Sequence, residues 1–111
     1  MAVVNQYKFY GVDDSTSGAA LTMFGASSPA STETYILKSI KVTSAGTPTV
    51  TVINNSITAI KSAALTANVT TELLTMPMVV EGGTNLTVQS SSSDSFDVAI
   101  SYLNINKEII S

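Results

Sequence analysis

The chain has no histidine, cysteine, arginine or tryptophan, and each absence closes a class of function. Without histidine a serine nucleophile lacks its usual general base, and no Gly-x-Ser-x-Gly elbow occurs among the many serines. Without histidine and cysteine a tetrahedral zinc site loses its main ligands. Without cysteine there is no disulfide framework, so so small a domain must be held by packing, a metal or partner subunits. Without tryptophan or arginine, a pair of carboxylates has little to hold a sugar against it, which argues against a glycosidase cleft. The expectation is a protein that is not an enzyme, with no catalytic residue and no cofactor.

Charge is also scarce. Charged residues are 12% of the chain, about half the usual share. The lysines are scattered at Lys8, Lys38, Lys41, Lys61 and Lys107, and the net charge is −3. No basic face can be assembled from them to displace counterions from phosphates, so nucleic acid is not an expected partner. No apolar run approaches the roughly 18 residues of a membrane span. Met1 to Val4 runs into Asn5 and Gln6 without the pattern of a signal peptide, so membrane partners are not expected and synthesis in a cytosol is.

What is present builds sheets. Serine and threonine exceed a quarter of the chain and are threaded among β-branched and aliphatic residues. The length, 111 residues, fits a single domain over 1–111. Phe96, Val98, Ile100 and Tyr102 alternate with Asp97, Ala99 and Ser101, which predicts a strand with one buried face. Leu86 and Val88 alternate likewise, and 90–95 reads as the loop joining the two as an antiparallel pair. Tyr35 to Thr43 reads as a long strand whose parity changes midway, consistent with a bulge near Lys38 or with partial cover on both faces. A turn at 44–48 and a return strand from Thr49 complete a predicted hairpin. Further strands are expected over Gln6–Val12, broken by Gly11, over 20–24 and at Met78–Val80 before a Gly82-Gly83 turn. Residues 57–74 fit strand, turn, strand better than a short helix. About eight short strands without βαβ alternation predict an all-β chain, a single antiparallel β-sandwich with a jelly-roll-like path.

Three features are candidates for function. Asp13-Asp14-Ser-Thr-Ser-Gly18 resembles the start of a calcium loop but has Phe24 where a bidentate Glu belongs, so Asp13 and Asp14 are weak metal candidates and an Asx-type turn is the plainer reading. Tyr7, Phe9 and Tyr10 form the densest aromatic cluster, either a docking face or ordinary strand positions. Val3, Val4, Ile109 and Ile110 put apolar residues where termini are normally polar. Segments 1–5 and 106–111 either prolong edge strands or are arms that dock on neighbours.

The strands over Tyr35–Thr43, Thr49–Val52, Glu72–Leu74, Met78–Gln89 and Asp97–Ile105 together resemble a family of small β-sandwich structural proteins of tailed bacteriophage virions. The likeness spans about residues 34–105 as a pattern of residue types, with Gly83-Thr84 where the family often has Gly-Asp and Asn104 where it often has Glu. The resemblance implies a virion component made in the host bacterial cytoplasm: a capsid decoration (cement) protein, or a neck, tail or baseplate accessory protein. Its implied partners are the major capsid protein or tail and neck proteins and further copies of itself, a trimer being the first expectation for a capsid. It implies no active site. A carbohydrate-binding or receptor-adhesin module is the alternative of another class.

Overall fold

A computed structural model describes residues 2–15, 20–24 and 29–108, with side chains described at 5–12, 20–24 and 29–106. The strands are β1 (Ala2–Ser15), β2 (Leu21–Thr22), β3 (Glu33–Ser44), β4 (Thr49–Asn54), β5 (Ile57–Ala64), β6 (Thr71–Glu72), β7 (Met78–Val80), β8 (Leu86–Ser90) and β9 (Phe96–Glu108). One sheet runs β1-β9-β3, with β6 and β7 on the far side of β3, and the other runs β2-β8-β4-β5. All pairs are antiparallel.

The path is a jelly roll. Apart from the β4–β5 hairpin and the step from β6 to β7, successive strands cross from one sheet to the other, which nests two Greek keys. β6 and β7 share one strand position at opposite ends of β3, so nine strands fill eight places. The core lies between the sheets: Tyr35, Leu37, Ile40 and Val42 of β3 and Phe96, Val98, Ile100 and Tyr102 of β9 face Val50, Val52, Leu86 and Val88.

The parity change in β3 is a bulge. Leu37 stands opposite Tyr102 and Ser39 opposite Ser101, leaving Lys38 as the extra residue. Without it Leu37 and Ile40 would point to opposite faces. Glu72 secures this place: its carboxylate accepts the Ser39 hydroxyl, the Ile40 N–H at 2.8 Å and the Leu74 N–H at 3.3 Å. Partial burial works to raise the Glu72 carboxyl, but these three donors and the Lys41 charge outweigh it and hold the group below its ordinary 4.5. A carboxyl lowered on folding adds stability above its unfolded pKa and loses it as the pH falls through the folded value. Acid denaturation of the wild type should therefore show a component in that window that Glu72→Gln lacks, measured by urea titration at stepped pH.

Two expected pairings are corrected. Thr49–Asn54 is not the return strand of a hairpin with β3, because β4 pairs with β5 and β8 in the opposite sheet. Likewise β8 and β9 are not partners; β8 pairs with β2 and β4, and β9 with β1 and β3. The segments 44–48 and 91–95 are crossovers, and they brace one another: Ala45 N–H donates to the Ser95 carbonyl at 3.0 Å and Ser91 N–H to the Thr49 carbonyl at 2.9 Å. The buried Ser44 hydroxyl donates to the same Ser95 carbonyl at 3.1 Å. Alternation tells which face of a strand is buried, not which strand lies beside it.

The β4–β5 hairpin turns on Asn55 and Ser56, with φ of 50° and 64°. Positive φ at both central positions is the type I′ turn that suits twisted strands, and glycine fits its second position. Ser56→Gly is expected to stabilise the protein by about 0.5–1 kcal/mol, read from the denaturant midpoint.

Candidate functional site

The feature that stands out is the edge of β1, which among the described residues pairs with β9 alone. The other edges are blunted. β2 and β6 are two residues long and β7 three. β5 departs from regular pairing twice along β4, with Ser62 at a φ of 52° in one of the irregularities. Bulges, shortness and interruption are the devices by which sheets avoid pairing with strangers. β1 has none of these over most of its length: it pairs with β9 from Ala2↔Glu108 to Val12↔Val98 without a shift. Gly11 does not break this strand, and Asp13 and Asp14 extend it instead of starting a loop. An edge strand paired on one side is held by that ladder alone, and β9 supplies it for the whole length.

The aromatic cluster divides by parity. Tyr7 and Phe9 point outward, 79% and 68% exposed. Tyr10 points inward, half-buried, with its ring 5.1 Å from that of Phe24. Tyr7 opens a row across the outer face: it lies opposite Leu103, Leu103 opposite Ile36, and Ile36 opposite the exposed Val79. Phe9 folds toward Gly11, where a Cβ would sit 3.1 Å from its ring. A shallow depression of about 400 Å³ follows, lined by Phe9, Gly11, Val12, Asp97, Val98 and Ala99. Ile36, Leu103 and Val79 were not singled out from the sequence. Their signal was there: each is an apolar residue on the solvent parity of its strand.

The other candidates fall as follows. Val3 and Val4 lie in the β1 ladder opposite Lys107 and Asn106, so the backbone of 2–5 and 105–108 forms the end of the first sheet; Ile109 and Ile110 lie outside the described residues. The ladder shifts register between Val12 and Ser15, which places positions 13 and 14 opposite Asp97. The Asp94 carboxylate, in the segment before β9, accepts the Ser92 hydroxyl at 3.0 Å and lies against Gly46. Among the described residues no group of three metal-ligating side chains converges.

Among the buried polar residues, Asn104 lies beside the aromatic residues in the ladder. Asn104, opposite Tyr35 in the ladder, donates from Nδ2 to Glu33 at 2.8 Å, and Glu33 also accepts the Ala30 N–H at 3.0 Å. This fixes the loop at residues 30–33 against β9. Burial, with Tyr35 and Glu33 alongside, pushes the neighbouring Tyr102 hydroxyl above the usual phenol range, so it stays protonated.

No family model matches the chain, and no curated protein matches it. Among solved structures it is similar to a chain in the structure of infectious bursal disease virus Gt strain, with a TM-score of 0.44 and 14% identity over 94% of this chain. The match covers 32% of that chain, so the present one spans about a third of its neighbour's length.

Proposed function

We propose that this chain is a virion structural protein, most specifically a capsid decoration protein of a tailed bacteriophage that binds the assembled shell as a homo-oligomer. The observation that carries the reading is the β1 edge with its exposed Tyr7 and Phe9: the distinctive feature is a surface. The resemblance over residues 34–105 supports it, and so does a side-chain inventory without histidine, cysteine or arginine. A jelly roll is a frame shared by capsid and lectin domains, so the frame supports both readings and the surface has to decide. A protein of this kind works by many modest contacts on a repeating lattice, where effective concentration replaces individual affinity. An apolar row and a weakly charged exterior suit that work.

The experiment is co-sedimentation of the purified chain with purified heads and, separately, tails of the phage that encodes it. Saturable binding to heads at a fixed ratio to the major capsid protein is the expected result. Binding to necks, tails or baseplates alone would move the protein to an accessory role there, and binding to none of them would overturn the virion reading.

A second reading has its own observation. Phe9 beside the depression that includes Asp97 offers an aromatic plane and a carboxylate, a pairing that suits a sugar ring. A glycan array with and without calcium tests it; a saccharide signal lost in Phe9→Ala would favour an adhesin.

A further inference from the structure

We infer that β1 is a self-pairing edge: two copies of the chain add β1 to β1 antiparallel across a twofold axis, joining their first sheets into one. The inference rests on the homo-oligomer part of the reading above and names its contact. An unpaired strand edge is a template for another extended strand, whose N–H and C=O groups can meet its own in a continuous ladder. A second β1 supplies one of matched length and twist, and antiparallel addition of identical edges closes on itself as an isologous dimer.

Area permits it. The thirteen overlapped residues, at about 3.4 Å each, make a strip about 44 Å long, which need be about 18 Å wide to reach the roughly 800 Å² per partner of a standard interface. The edge and the outward rings of Tyr7 and Phe9 lie along that strip.

Register follows from parity and charge. Directly opposed residues share a face, so outward residues must meet outward residues and a shift by one is excluded. Centring the axis on Lys8, the one charge among the described side chains of β1, would oppose two ammonium groups. Centring it on Phe9 opposes Phe9 with its symmetry mate, sets Tyr7 opposite Gly11 and Lys8 opposite Tyr10, and keeps 3–15 overlapped. A centre at Tyr7 overlaps only 2–12. The axis therefore passes at Phe9, and the assembly it builds has an even number of subunits. A trimer would need a different interface.

The test uses the full chain, which has no cysteine of its own. In an antiparallel pair the opposed Cα atoms stand about 4.5–5.5 Å apart, within disulfide range. Phe9→Cys should therefore cross-link to a covalent dimer under mild oxidation, and Asn5→Cys should not. Sedimentation velocity on the wild type should show an even-numbered species, and Tyr7→Lys with Phe9→Lys should raise its dissociation constant at least about tenfold with the far-ultraviolet dichroism unchanged. Amide exchange should find alternate β1 amides protected in the wild type and exposed in that variant. A monomer from micromolar to millimolar concentration, an odd-numbered oligomer, or equal cross-linking at positions 5 and 9 would overturn the inference. Particle binding separates the two proposals: a monomer that still decorates heads sinks the edge pairing alone, and a β1 dimer that binds no particle sinks the virion reading alone.

Discussion

Phe24→Ala is expected to lower the stability by about 3 kcal/mol, although the residue is only half-buried. Its ring packs on three others, with centroids 5.1 Å from Tyr10, 4.8 Å from Tyr35 and 4.9 Å from Tyr102. These belong to β1, β3 and β9, so one side chain from the segment after β2 joins three strands of the opposite sheet. Edge-to-face pairs contribute about 0.5–1.5 kcal/mol each beyond the area they bury. The backbone identifies the residue as well. Phe24 has a φ of 62°, a conformation that costs an ordinary side chain about 1–2 kcal/mol. The ring contacts hold that strained turn in place. Phe24→Gly should therefore be milder than Phe24→Ala by about 1 kcal/mol, the reverse of the usual order in a strand. Urea midpoints of the two variants measure the inversion; Ala milder than Gly would show that the contacts do not hold the turn.

Phe24 also shows what can be read from a sequence of this kind. It entered as the residue that spoils a calcium loop and ends a short strand, since nothing in its neighbours marks a positive φ. Periodicity was the dependable signal: it placed Phe96, Val98, Ile100 and Tyr102 on one buried face, and at the parity change in β3 it left a bulge near Lys38 or partial cover of both faces, of which the bulge keeps Leu37 and Ile40 both inside. Over 57–74 the spacing fitted helix and strand alike, and residue type tipped it to strand, turn, strand, where β5 and β6 lie. Pairing partners were not legible in the same way. β3 and β4, and β8 and β9, are neighbours in sequence with matching faces, and such a pattern fits a hairpin as well as it fits two strands facing each other across a core. The loops between them decide, through bonds such as Ala45 to Ser95 that link residues far apart in the chain. The edge was half legible. Parity within Tyr7-Lys-Phe-Tyr10 already separates the outward rings from Tyr10, but which strand ends a sheet is a property of topology and leaves no local trace.

Gly82→Ala is the second large effect expected, about 3 kcal/mol from one methyl group. Gly82 and Gly83 lie between β7 and β8, and their identical chemistry serves different ends. Gly83 has a φ of +79° with nothing within 4 Å of where a Cβ would stand. A side chain there meets strain but no neighbour, so Gly83→Ala should cost about 1 kcal/mol. At Gly82 a Cβ would lie 2.7 Å from the carbonyl oxygens of Ala30 and Ser31 and 2.8 Å from that of Glu33. All three are backbone atoms, in a loop pinned by Gly83 N–H to the Pro29 carbonyl at 3.0 Å and by Glu33 N–H to the Ala30 carbonyl at 2.9 Å. The loop cannot turn a rotamer aside; it has to move as a body, and it carries Glu33 away from the buried Asn104 that it holds. An amide left without its partner in that position adds to the steric cost. Thermal unfolding should rank Gly82→Ala well below Gly83→Ala. Glu33→Gln, which can still accept from Asn104, should fall above both. If the two glycine variants proved equal, close approach would not be the reason for Gly82, and the joint between the 30–33 loop and β9 would be looser than the contacts require.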